Sequence, residues 1–215
     1  MTAHAQLDIF TGESEICNTG KDPTRSGLEE MEDRLMARYV EKVGAVISSL
    51  DDIGLPGPGQ QYRLVTRRSF NAVELIQYIV RTEKILDLSL AIYSINFQAA
   101  KVLIHLVDTG RIGHIRIMMS NLRNKAHREK EEIIKNDFTA HPKVELFFCC
   151  SHAKMMCCKT DAGNYYAIEG SGNLAYNSRV EQYIIDNDRM VYEFSLSWMA
   201  EIKEFLKGKK ELEIC

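Results

Sequence analysis

From Asn71 onward, apolar runs of strand length alternate with segments of helical period, and that alternation restricts the chain to an α/β architecture. Asn71 stands as a cap before Val73, Leu75, Ile76, Ile79 and Val80, which share one helical face. Ile85 to Tyr93 follows as a strand and Phe97 to Val107 as a helix closed by Gly110. A second strand begins near Gly113 and runs through Ile115, Ile117 and Met119, and a helix is expected from Arg123 to Ile134. Val144 to Cys150, the His152 segment to Cys158, and Tyr165 to Ile168 read as successive strands. A helix from Ser195 to Leu206, holding the only tryptophan, Trp198, closes the chain. Strands separated by helices early and adjoining one another late imply a mixed β-sheet flanked by helices.

Residues 1–27 mix Gly, Thr, Asp, Lys and Pro with little periodicity, which predicts a flexible tail or an arm that binds another protein. Across 28–60, Met31, Leu35, Tyr39, Val43 and Ile47 recur every four residues among charges. An amphipathic helix from Leu28 to Leu50 is expected, followed by a linker at Gly54-Leu55-Pro56-Gly57-Pro58-Gly59. Residues 61–215 form the main domain. No apolar segment approaches the length of a membrane helix, and Met1 to Gln6 lack the basic start and apolar run of a secretory signal. A cytoplasmic protein without a membrane partner is expected.

Cysteine usage agrees with a reducing compartment. Cys149-Cys150 and Cys157-Cys158 are adjacent pairs in apolar segments, where strand neighbours face opposite ways, so reduced thiols are expected rather than disulfides. Together with His152 these thiols have the donor chemistry of a zinc site. Their spacing lacks the Cys-x-x-Cys knuckles of such sites, so no metal and no cofactor are expected.

Two short motifs carry the chemistry. On a strand, His152 and Lys154 would point the same way roughly 7 Å apart, and Ser171 and Asn173 repeat the two-residue spacing. A neutral imidazole is a nucleophile at physiological pH, an ammonium beside it neutralises phosphate oxygens, and serine and asparagine add neutral donors. The set suits attack on a phosphate diester. At His152-x-Lys154 and Gly170-Ser171-x-Asn173 the sequence resembles the phospholipase D superfamily, over about the last two-thirds of the chain. The family's aspartate is absent: Lys159 occupies its position, and the nearest acid is Asp161.

The resemblance implies a phospholipase D-like domain and a site built from two copies of the motif. A single copy here implies a homodimer that sets His152 opposite His152 of the partner subunit, one as nucleophile and the other as general acid. It further implies a metal-independent phosphodiesterase with a phosphohistidine intermediate, in which Lys154, Asn173 and Ser171 offset the transition-state charge. Glu181 reads in two ways, as the carboxylate that orients His152 or as an exposed salt-bridging residue.

Charge points to the substrate. The net charge is −3, yet the segment from Arg111 to Lys130 is strongly basic. Arg116, Arg123, Lys125 and Arg128 are the expected nucleic-acid-binding residues, with Arg63, Arg67 and Arg68 as a second cluster. A nuclease-like activity on DNA or RNA follows. The alternatives are a non-catalytic nucleic-acid-binding or assembly module on a degenerate site, and a phospholipid phosphodiesterase or transferase.

Overall fold

The computed structural model of the protein describes residues 38–39, 50–67, 72–120, 128–174 and 180–208. Eight strands form one sheet: β1 Arg38–Tyr39, β2 Gln61–Arg67, β3 Ile85–Ile92, β4 Ile112–Ser120, β5 Val144–Cys149, β6 Met155–Thr160, β7 Tyr165–Gly170 and β8 Val180–Asn187. Among the described residues four α-helices accompany them: α1 Ala72–Thr82, α2 Phe97–Asp108, α3 Arg128–Ala140 and α4 Arg189–Gly208. The strand order is β1-β2-β8-β7-β6-β3-β4-β5. β3, β4 and β5 are parallel, whereas β2, β8, β7, β6 and β3 pair antiparallel in turn. The mixed sheet flanked by helices is the expected architecture.

The sheet separates two apolar layers. On one face Leu75, Ile76 and Ile79 of α1, Leu103 and Val107 of α2, and Ile134 and Phe138 of α3 pack on Leu88, Leu90, Ile115 and Ile117. Each such fully buried aliphatic side chain stabilises by about 1.5–3 kcal/mol. On the other face α4 alone supplies Tyr192 and Met199 against Ala91, Met118 and Ala167. β3 and β4 are covered on both sides toward their carboxyl ends, where Leu90-Ala91-Ile92 and Ile117-Met118-Met119 are all buried. Cys158 belongs to the first layer and Cys157 to the second, as strand alternation requires. Cys149, Cys150, Cys157 and Cys158 are reduced, outside any disulfide, and burial pushes the Cys157 thiol up to about 12.

Several boundaries differ from expectation. β2 and β8 were not expected as strands. α4 begins at Arg189 because Asp188 caps it, its carboxylate accepting from the amides of Met190 at 2.7 Å and Val191 at 3.1 Å. α3 continues past Ile134 to Ala140. The His152 segment is not strand, since β6 starts only at Met155. The helix expected over Leu28 to Leu50 lies mostly outside the described residues; the described pair Arg38–Tyr39 is extended beside β2. The tail 1–27 and the cap Asn71 also lie outside. The linker is tied down at its end: Gly59 N donates to the Asn187 carbonyl at 2.7 Å, and Asn187 N donates to that of Gln60 at 3.0 Å.

Candidate active site

The seam where β6 meets β3 joins the antiparallel and parallel halves of the sheet. At one end of it three connections converge: the exit from β3, the turn into β6 and the exit from β7. Ser151 shapes the turn, its hydroxyl accepting from the Ala153 amide at 3.1 Å. This local bond competes with strand pairing and explains why the Ser151–Lys154 stretch is a loop. Gly170 N donates to the Lys154 carbonyl at 3.2 Å, which couples the two motifs directly. On the other side, Ile95 bridges Leu174, and Asn96 N donates to the Leu174 carbonyl at 3.0 Å.

Within this frame Lys154 folds back on His152. Its Nζ lies 3.3 Å from His152 Nδ1 and 3.2 Å from the His152 carbonyl. An ammonium has donors only, so Nδ1 accepts and a neutral ring carries its proton on Nε2. The His152 ring is exposed and sits 4.9 Å from the Tyr93 ring at 54°. Lys154 Nζ also stands 5.7 Å from the Tyr93 ring centre, within cation–π range. No carboxylate among the described residues forms an ion pair with Lys154, so its charge is available to an anion. Tyr93 was not among the expected site residues. Its signal was positional, a polar aromatic at the carboxyl end of a parallel strand.

The second motif is set by close packing on β8. A Cβ on Gly170 would lie 2.5 Å from the Gln182 carbonyl oxygen, and one on Gly172 would lie 2.2 Å from Tyr183 Oη. A side chain at Gly170 would meet backbone, and one at Gly172 would displace the Tyr183 phenol. Ser171 N donates to the Gln182 carbonyl at 3.1 Å, Ser171 Oγ accepts from Gln182 N at 3.1 Å, and the same hydroxyl donates to Glu181. Glu181 is only 6% exposed, which rules out the surface salt-bridge reading. Burial together with the Glu181 and Glu74 carboxylates pushes the Tyr183 phenol above its ordinary range. Asn173 Oδ1 is buried without a hydrogen-bond partner among the described residues.

Lys159 stands five residues beyond Lys154, roughly 17 Å along the strand direction. It registers with Asp87 on β3, and its Nζ lies 5.9 Å from the Tyr165 ring. Asp161 accepts from Lys84 N at 2.9 Å at the far end of the sheet. The departure from the family motif is therefore remote from His152. Arg116 is remote as well, in mid-β4, with Nε 3.2 Å from Glu145 and Nη1 3.1 Å from Ser89. Lys203 of α4 completes that ion-pair cluster and, with Arg116, holds the Glu145 carboxyl below its ordinary range. The side chains of Arg67, Arg68, Arg123, Lys125 and Arg128 lie outside the described residues. Among the described residues no group of three His, Cys, Asp or Glu is placed to hold a metal ion, and no helix is long and apolar enough to cross a membrane.

No family model matches this sequence, and no curated protein matches it. Solved structures do resemble it. Polyphosphate kinase from Porphyromonas gingivalis aligns over 72% of this chain with a TM-score of 0.50 and 11% identity. The alignment covers 27% of that kinase, so the chain spans about a quarter of its length. A phospholipase D family member, Nuc from Salmonella typhimurium, aligns over 66% of this chain and 93% of its own, with a TM-score of 0.48 and 16% identity. TrmBL2, an archaeal chromatin protein, aligns over 88% of this chain and 62% of its own, with a TM-score of 0.43 and 16% identity. At such identities the likeness concerns the fold.

Proposed function

We propose that this chain is a nuclease-like phosphodiesterase in which His152 attacks phosphorus and Lys154 binds the phosphate oxygens. The observation that carries the reading is the coupling of the two motifs. Gly170 N bonds the Lys154 carbonyl, while His152 is exposed beside an ammonium with no carboxylate partner among the described residues. A structural histidine would be buried and satisfied; this one faces outward with its cation.

In the unliganded arrangement Lys154 holds Nδ1. A phosphate that takes over the Lys154 donors releases the ring and lets the proton move to Nδ1, leaving the Nε2 lone pair free to attack. Attack forms the N–P bond of a phosphohistidine as the P–O bond breaks, and His152 of the partner subunit protonates the departing oxygen. That same imidazole then takes a proton from water, whose oxygen displaces His152 from phosphorus. Lys154 and the Asn173 amide nitrogen offset the added negative charge as donors. Glu181 anchors Ser171 and supplies negative charge to support the imidazolium. Every step uses groups on the two chains and needs no metal. The single motif makes the homodimer part of the reading.

Nucleic acid is the proposed polyanion on the strength of the basic segment from Arg111 to Lys130. Hydrolysis of bis(p-nitrophenyl) phosphate and of single- and double-stranded DNA in excess chelator, compared with His152→Ala, tests the proposal. Cleavage that disappears in His152→Ala without a change in melting temperature is the expected result. An unchanged rate in that variant removes His152 from the mechanism. DNA binding without cleavage in either protein turns the reading to a binding module.

A further inference from the structure

Beside Lys154, on the sheet face that carries α4, lies a cleft of about 370 Å³ that the reaction above does not use. Its floor is a cross-strand row, Met155 on β6, Glu169 on β7 and Ile184 on β8, which are successive register partners. Trp198 of α4 forms a wall, and Gln182 and Lys154 border the end toward the active site. Residues opposite one another in antiparallel strands present side chains on the same face, so Arg63, the β2 partner of Ile184, extends the row outward. One cation therefore stands at each side of a small depression whose lining is about evenly polar and apolar.

The lining selects its occupant. The volume is at the low end of small-ligand sites and suits one planar ring system rather than an extended chain. An acyl chain laid along this floor would strip water from the exposed Glu169 carboxylate without replacing it, which is unfavourable. A heteroaromatic ring instead offers a π-face to an indole and an edge of donors and acceptors to Gln182 and Glu169. Amide and carboxylate side chains pair with base edges in this manner, the carboxylate with exocyclic amines. Lys154 borders both compartments, so a ring in the cleft and a phosphate at His152 belong to neighbouring parts of one ligand.

We propose that this cleft is a base subsite: a nucleobase next to the scissile phosphate enters it, stacks on Trp198 and is read at its edge by Gln182 and Glu169. The inference rests on the nucleic-acid reading and deepens it, because it makes unpaired bases the recognised feature and single-stranded nucleic acid the preferred substrate.

Trp198 is the only tryptophan of the chain, so its emission reports on the cleft alone. In His152→Ala protein, an unlabelled single-stranded octanucleotide is expected to quench that emission on binding, while an octanucleotide of abasic residues is not. Trp198→Leu keeps the apolar packing on α4 and is expected to bind an end-labelled octanucleotide about tenfold more weakly by anisotropy, the loss of roughly one stacked base. Gln182→Ala, at an exposed strand position, provides a second variant, expected to weaken binding less. Anisotropy binding of normal strength with no emission change, or equal affinity for the abasic strand, overturns the subsite and leaves the nucleic-acid reading intact. No binding of any oligonucleotide overturns both. A Trp198→Leu protein that sediments as monomer where the parent sediments as dimer assigns the cleft to a contact between copies and overturns the subsite.

Discussion

The two ends of the sheet treat their polar groups in opposite ways. At the end away from His152, Glu83 accepts from Asn164 Nδ2 at 2.9 and 3.0 Å and from the Tyr166 hydroxyl at 3.2 Å. Asn187 Nδ2 donates to Asn164 Oδ1 at 2.9 Å and to the Pro56 carbonyl at 3.0 Å, while its Oδ1 accepts from Tyr165 N at 3.1 Å. Burial and the Glu83 carboxylate push the Tyr166 phenol well above its ordinary range. Donors there meet acceptors within the chain. At the other end His152 is exposed, Lys154 has only a ring nitrogen, a carbonyl and an aromatic face, and Asn173 Oδ1 has no partner among the described residues. One end is closed on itself; the other keeps an exposed imidazole beside an ammonium.

Lys154→Met should separate the two ends most sharply. It is expected to lower diester hydrolysis by about 10²–10³-fold, as loss of one preorganised donor does, with an unchanged melting temperature. Retained activity would show that the open end does no chemistry. Asn187→Ala is the converse probe. Removing a side chain that serves three partners should cost about 2 kcal/mol in denaturant unfolding, while hydrolysis per folded molecule stays the same. A fall in rate with unaltered stability would mean that the ends are coupled.

Smaller effects sharpen the contrast. Lys159→Asp restores the family's acid, yet the position is remote from His152, so the rate should not rise. Stability should instead fall by about 0.5 kcal/mol because the new carboxylate faces Asp87 across the β3–β6 ladder. A large gain in rate would show that this position acts at a distance. Glu145 gives the smallest effect. Its carboxyl is held below its ordinary range mainly by the Lys203 hydrogen bond, despite the opposing effect of burial. Its contribution is therefore present above the unfolded carboxylate pKa and fades as pH falls through the lower folded value. Wild type should exceed Glu145→Gln modestly in stability at neutral pH, and chemical denaturation should find the gap closing in acid.

Legibility in the sequence followed how cleanly each residue obeyed its period. α1 and β3 were readable because nearly every inward position is aliphatic. β8 was missed because its buried positions are Glu181, Tyr183, Ile185 and Asn187, so the polar groups needed by the site and by the far end interrupt the apolar alternation. β2 hides its two inward residues, Tyr62 and Leu64, just after a Gly-Pro run. His152, Lys154 and the Gly-Ser-Gly-Asn segment were identified by their chemistry, but their loop conformation depends on Ser151 Oγ capturing a backbone amide, which no hydrophobic pattern records. Tyr93 carried only a positional signal, its place at the carboxyl end of a strand. Its role arises only when β3 and β6 lie side by side.

That seam also determines when the protein can begin to work. The residues that meet there come from the exit of β3, the start of β6 and the end of β7, and the ladder that unites β3 with β6 spans a long stretch of chain. Such distant pairing is slow compared with helix formation. During refolding, the far-ultraviolet signal of the helices should recover first and turnover last, so that activity serves as a clock for closure of the central ladder.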